Sequence, residues 1–451
     1  MAYETAAGHG GTERSERAGE RGAVSSRRRS VLISGASVAG PALAYWLGRY
    51  GFRVTVVEVA PALRGGGFAV DFRGAVHLQV LERMGVLEDI KRHGTGGGAP
   101  LSFIDGQGRP LASMPAEVAG GEVEILRSQL SRILYEHSLT PPGAAPGGAP
   151  EYVFGDSLSG LTQSADGVHV TFERGAPRTF DLVIGADGQH STVRRLAFGP
   201  EEECVSHLGY YVAAWDLPED AGDLGARQVG YGEPGRLATV GRVPSRAQEP
   251  GYTGESFCVF AAEELSYDRR DLGSQKAAVA AAFEGAGWRT PELIGSLRDA
   301  RDLYFDSISR VDVPTWSTGR IALLGDAAHG ATVGGMGTGS AVVGAYVLAG
   351  ELALADADHA TAFARYEHKL RPYVTRCQAG GRGAGEFLAP PTQEAMDARN
   401  ALLNDPSALA AMLGEGQDLS AAIELADYPS LVETAAAAPT GSTAGRGIRT
   451  A

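Results

Sequence analysis

Gly35-Ala36-Ser37-Val38-Ala39-Gly40 lies between a short apolar run, Val31 to Ser34, and a segment from Pro41 to Tyr50 that sets Leu43, Trp46 and Leu47 at helical spacing. A glycine is needed where the chain turns tightly out of a strand. Another is needed where the following helix packs on that strand, whose N-terminal N–H groups are then free to hold a pyrophosphate. Ser37 occupies the position of the middle glycine in such a turn. Glu58 ends the next β-branched run, Val54 to Glu58, where a carboxylate can accept the hydroxyls of a ribose. A second stretch, Asp181-Leu-Val-Ile-Gly-Ala-Asp187-Gly188-Gln-His-Ser191, reads as a buried strand ending in an acid and a turn, with Ser191 placed to cap a helix. A third, Arg320-Ile-Ala-Leu-Leu-Gly325-Asp326-Ala-Ala-His329, runs into Gly334-Gly335-Met336-Gly337-Thr338-Gly339 and then a long apolar helix. The dipole of that helix can face a group that becomes anionic.

Other reactive side chains give no such pattern. Gly155-Asp156-Ser157-Leu158 spells a serine-hydrolase motif, but it lies between a strand and an Asp166-Gly167 hairpin, with no Asp-x-x-His near the chain end, and a nucleophile without an oriented base is inert. Cys204, Cys258 and Cys377 are far apart and form no CxxC, so neither a disulfide framework nor a metal site is expected. His77, His329, Tyr210 and Tyr211 are candidate proton carriers that the sequence does not separate, so no catalytic residue is assigned. For His329 a hydrogen-bonded structural role beside the loop is expected.

The elements that position these groups follow in order. Residues 1–29 are rich in Gly, Ser, Glu and Arg without apolar periodicity and read as a disordered tail, and 435–451 read likewise. Strand, turn, helix and strand at 30–58 form a βαβ unit that opens a first nucleotide-binding segment, 30–100. A small sheet excursion over 101–125 precedes a second segment, 126–196, which the loop PPGAAPGGAP at 141–150 interrupts. From 197 to 318, β-formers recur between Gly, Pro and Asp breaks, which predicts a mostly antiparallel inserted sheet. Residues 319–352 return to the first domain. A helical region, 353–434, then packs across both parts or forms a homodimer contact; the pattern leaves both open. The fold class expected is α/β: a Rossmann-like domain with a parallel sheet, an inserted antiparallel β domain and a C-terminal helical region.

Composition narrows the function. With 40 Lys+Arg against 54 Asp+Glu, the formal charge of −14 argues against a nucleic-acid or anionic-membrane partner. No stretch reaches eighteen apolar residues and no signal-peptide core opens the chain, so a cytoplasmic protein outside the membrane is expected.

The three glycine-and-acid motifs, in this order, resemble the FAD-dependent monooxygenases of the para-hydroxybenzoate-hydroxylase type, over roughly Val31 to Arg376. The resemblance implies FAD as cofactor, with Gly35, Ser37, Ala39 and Gly40 around the pyrophosphate and Glu58 on the ribose. It places Arg64 along the pyrophosphate and Arg127 on the flavin side. It gives Asp187 to FAD and NAD(P)H, Gly325 and Asp326 to the ribityl chain, and the backbone of Met336, Gly337 and Thr338 to the pyrimidine edge. It further implies NADPH or NADH as transient reductant and oxygen transfer through a flavin C4a-hydroperoxide to a hydrophobic aromatic or polyketide-type molecule, in secondary metabolism such as antibiotic biosynthesis. The pocket is then expected from Phe68 to Arg73, Leu208 to Trp215 and Phe257 to Phe260. Family members usually carry a proline four residues after the histidine of the third motif, where this chain has Val333. That departure keeps an alternative open: a non-redox cyclase of the same fold, such as one closing a polyketide [4+2] ring, with FAD structural.

Overall fold

The computed structural model describes residues 28–437 except 66–67, 96–99, 117, 119–120, 144–147, 219–227, 244–245, 247–251, 335, 357, 382 and 421–422. All but residues 28–29 of the tail expected at 1–29, most of that at 435–451, the middle of the loop at 141–150, and Gly335 therefore lie outside the described residues, while helix Tyr428–Ala437 reaches into the expected C-terminal tail.

Runs that are apolar at every position cannot alternate between core and water, so they are buried on both faces of a parallel sheet. The strand Ser30–Ser34, buried throughout, lies inside a six-stranded sheet ordered 317–318, 321–323, 182–185, 30–34, 53–58, 151–154. Its pairings are parallel except at the 317–318 edge. Helix Ala39–Arg49 packs on this sheet and against the long helix Gly337–Leu354, where the Trp46 and Tyr346 rings meet edge-on at 4.9 Å. Among the described residues, Gly337–Leu354 is the one helix long and apolar enough to cross a membrane, and 78% of it is buried inside the fold. Its composition is that of a core helix, surrounded on all sides by protein.

A seven-stranded sheet holds the inserted part, in the order 304–311, 205–216, 255–261, 236–241, 228–233, 101–104, 110–114. All its pairings are antiparallel but one, between 228–233 and 101–104. The expectation of a separate small sheet over 101–125 is corrected here: strands Leu101–Ile104 and Pro110–Met114 extend the inserted sheet. The reason is burial, since Leu101, Phe103, Ala112 and Met114 share a cluster with Val212, Leu237 and Val259 of that sheet. The small sheet that does exist pairs Ala69–Phe72 with Val123–Leu126. Helices Leu272–Ala282 and Thr290–Leu297 cover the outer face through Val279, Phe283, Leu293 and Leu297, packed on Tyr211, Trp215 and Phe260.

The C-terminal helical region does more than cross the back of the molecule. Tyr428 seats its ring on Gly350, where a Cβ would approach to 2.2 Å, and Lys369 reaches buried Glu351 at 2.5 Å. Helices Ala384–Leu388 and Gln393–Leu403 instead pack on the inserted sheet through Ala389 and Leu403.

Candidate active site

The turn after the first strand is closed by contacts that only glycine permits. Gly35 has φ +104°, and a Cβ there would stand 2.4 Å from the Ala186 carbonyl oxygen; one on Gly40 would stand 1.9 Å from that of Gly35. Both are backbone atoms, so neither can yield. Glu58 faces this turn, accepting the Ala36 N–H at 2.8 Å and the Ala60 N–H at 3.0 Å. Each carboxylate oxygen keeps a further lone pair. Arg64 stands 3.6 Å from Glu58 with its side chain 72% exposed. Ser37, Ala39, Glu58 and Arg64 all line one cavity.

Asp187 ties three elements together. It accepts from Ser34 Oγ at 3.0 Å, from the Val193 N–H at 3.2 Å and from the Ser191 hydroxyl, while Ser191 caps the helix Thr192–Ala197 through Arg194 N. Burial raises its pKa, and these hydrogen bonds oppose that rise. Two neighbours not singled out in the sequence bind the two domains. Gln189 donates to Ser307 Oγ at 3.0 Å and accepts from Thr332 Oγ1 at 2.7 Å. His190 lies between Glu201 Oε1 at 2.8 Å and Asp306 Oδ1 at 3.1 Å, and although burial pulls its pKa down, the two carboxylates lift it to about 9. A histidine beside a turn gives no sign of two carboxylates arriving from elsewhere in the chain.

The third motif places Gly325 at φ +63° between Ala39 and Ala341, each 3.2 Å from where its Cβ would be. Asp326 follows it, half-buried, with its pKa raised by desolvation and lowered by Arg127. No described residue donates a hydrogen bond to the Asp326 carboxylate. The loop then passes through left-handed backbone at Val333, Gly334 and Met336 before helix Gly337–Leu354 begins at Gly337. For β-branched Val333 that conformation is strained, and strain of this kind gathers at functional sites. Arg127 starts the helix Arg127–Leu139, and its charge opposes the burial that raises the pKa of the Tyr304 hydroxyl. Arg127, Asp187, Asp326, Val333, Met336, Gly337 and Thr338 border the same cavity as Glu58.

That cavity measures about 2540 Å³ and continues from the glycine turn to the inner face of the inserted sheet. There Phe68 meets Tyr304 at 4.9 Å and Phe257 at 5.8 Å, both edge-on. Of the lining expected, Phe68 to Val70, Asp71, Arg73, Tyr211, Ala214, Trp215 and Phe257 reach it. Phe387, Leu388 and Met412 of the C-terminal helices also reach it, a contribution that no local pattern announces.

The other candidates fall away. His77 is fully buried, its Nδ1 accepting from the Arg73 N–H at 3.1 Å and its Nε2 2.6 Å from the Tyr373 hydroxyl, and burial lowers its pKa to about 4. Tyr211 Oη accepts from the Leu265 N–H in the packed outer layer, and Tyr210 covers Gly385. The expectation that His329 is hydrogen-bonded is corrected: neither ring nitrogen has a partner among the described residues, and the ring rests against Trp316 at 4.7 Å. Burial keeps it neutral, with a pKa near 3. Asp156 of the hydrolase-like motif binds the N–H groups of Ser157, Arg174 and Gly175 and so builds a turn.

The residues present suit a flavin dinucleotide. Two turns admit no side chain, a long helix aims its N-terminus at the cavity, and Asp326 lines that cavity with no donor among the described residues, as a carboxylate awaiting hydroxyl groups would. The FAD binding domain family matches residues 28–223. An uncharacterised protein of Mycobacterium tuberculosis is 42% identical over 358 residues, covering 78% of this chain and 92% of its own length. A flavin-dependent monooxygenase from an unknown prokaryotic organism is 35% identical over 408 residues, covering 89% of this chain and 99% of its own. The crystal structure of the tetracycline destructase Tet(51) superposes with a TM-score of 0.75 at 30% identity, over 89% of this chain and 99% of that one. With the motif order, the cavity and these likenesses in agreement, the chain belongs to the FAD-dependent monooxygenases of the para-hydroxybenzoate-hydroxylase type.

Proposed function

We propose that this protein inserts one oxygen atom of O2 into a hydrophobic aromatic or polyketide-type small molecule, with NADPH or NADH as reductant. One observation carries the reading: a single cavity joins the dinucleotide turn at Gly35 and Glu58 to the aromatic chamber of Phe68, Phe257 and Tyr304. Bound FAD supplies the electron transfer and oxygen activation.

The chain supplies position and dryness. Gly35, Ser37, Ala39 and Gly40 take the pyrophosphate, Glu58 and Arg64 the adenosine side, Gly325 and Asp326 the ribityl chain, and Met336 to Thr338 the ring edge facing the helix N-terminus. Arg127 and Asp187 stand on either side. Phe387, Leu388 and Met412 help close the chamber, which keeps water from the reacting atoms. Tetracycline is the natural first probe, because Tet(51) is a tetracycline destructase. A cytoplasmic, homodimeric enzyme of secondary metabolism is the setting proposed.

The test is anaerobic mixing of the FAD-loaded protein with NADPH and then NADH, with and without tetracycline, following oxidised-flavin absorbance. Bleaching that the substrate accelerates, with recovery on admitting oxygen, supports the monooxygenase. Val333, strained and bordering the cavity at the position where the resemblance leads to an expectation of proline, favours the second reading of a non-redox cyclase. Flavin that stays oxidised under every condition would select it.

A further inference from the structure

The substrate cavity has two chemically different ends. One is aromatic, formed by Phe68, Phe257 and Tyr304. Two residues before Phe257 on the same strand, and so on the same face, stands Glu255. Across the sheet it pairs with Asp216 on one side and Gly241 on the other, and Gln228 leans over Gly241. The small sheet packs here through Ala69 and Leu126 on Val243 and Tyr252. It carries Asp71 opposite Glu124, and Glu124 lies within electrostatic reach of Glu255. Asp71, Glu124, Asp216, Glu255 and Gln228 all border the cavity.

Two of these acids have cations of their own. Arg246 grips Asp216 with two 2.7 Å bonds, and Arg73 holds Asp71. Among the described residues Glu124 accepts from the Thr95 hydroxyl, with the Arg73 charge also in reach. Glu255, half-buried, accepts no hydrogen bond from any described residue. Burial lifts its carboxyl to about 7, Arg246 opposes the rise, and Asp216 and Glu124 add to it. A half-buried acid that lines a ligand cavity, with no donor among the described residues, is placed to accept one from a ligand. A cation supplies what a neutral ring cannot.

We propose that the substrate carries a basic amine whose ammonium group sits between Glu255 and Glu124 while its ring system packs on Phe257, Phe68 and Tyr304. This rests on reading the cavity as the substrate site of the monooxygenase. Titration calorimetry of the FAD-loaded protein, without nicotinamide, compares tetracycline, which bears a dimethylammonium group, with its 4-dedimethylamino analogue at pH 8. A charge-assisted pair predicts that the amine binds about tenfold tighter or more. Glu255→Gln at wild-type FAD occupancy should abolish that preference and leave the affinity for the neutral analogue unchanged. Should the variant fail to fold, the wild-type pH profile reads the same group: the preference should fall about tenfold per pH unit below pH 7 as Glu255 protonates. Equal affinities, a preference that survives both Glu255→Gln and acid, or no binding of either probe up to millimolar concentration would overturn the proposal. The two readings fail separately. An amine preference without any NADPH oxidation removes the monooxygenase and keeps the amine site, and NADPH oxidation without the preference does the reverse.

Discussion

Replacing His190 by Asn tests whether a charged histidine fastens the inserted sheet to the nucleotide domain. His190 follows the Asp187-Gly188 turn; it lies between Glu201 at 2.8 Å and Asp306, on the sheet strand Tyr304–Val311, at 3.1 Å, with the Arg269 guanidinium 2.7 Å from its Nδ1. Burial alone would make it a weaker base, yet the two carboxylates outweigh that and raise it from 6.5 to about 9. At 1.36 kcal/mol per pH unit, that rise corresponds to ~3 kcal/mol of preference for the charged form in the folded state. The ring is about a quarter exposed, with 26% of its side chain accessible, so screening by water and salt reduces the expected gain to roughly 1–2 kcal/mol. Because the folded value lies above the unfolded one, this stability is fully present below about pH 6.5 and disappears as pH rises through 9. Thermal unfolding of wild type and His190→Asn from pH 6 to pH 10 should show a gap that is widest at pH 6 and closes toward pH 10. A gap of constant size, or none at pH 6, would refute the charged-latch account, the first by assigning the loss to packing.

Glu58→Ala and Asp326→Ala should each lower FAD occupancy of the purified protein, read from the ratio of flavin to protein absorbance; wild-type occupancy in both variants would remove the cofactor assignment of these acids. Gly40→Ala puts a methyl 1.9 Å from the Gly35 carbonyl oxygen, so the first turn must open. The expected result is loss of FAD together with a cost above ~2 kcal/mol by denaturant unfolding, and a variant that keeps both its cofactor and its midpoint would contradict the turn geometry.

The nucleotide domain was legible because its signals are local. A tight strand-to-helix turn must have glycine at Gly35 and Gly40, a doubly buried strand must be apolar throughout, and Ser191 caps its helix by accepting the N–H of Arg194 three residues on, so each leaves its requirement in neighbouring residues. The inserted sheet was legible as a kind of structure but not in its membership. Strands 101–104 and 110–114 look like any short β run, and their burial beside Val212 and Leu237 comes from sequence-distant partners. The same limit governed side-chain roles: His77, His190 and His329 are one residue type in the sequence, and only their surroundings make one a hydrogen-bonded strut, one a cation and one a neutral ring without a partner.

By itself, then, the sequence determined where the chain turns, which runs are buried, and that three acids follow strands in an order suited to FAD. Only the tertiary structure decided that Phe387 and Met412 of the last helices line the chamber and that Glu255 and Glu124 border it within reach of each other's charge. The physical reason is range. Backbone conformation is set by atoms within a few residues, whereas the charge, burial and reactivity of a side chain are set by whatever the fold brings beside it.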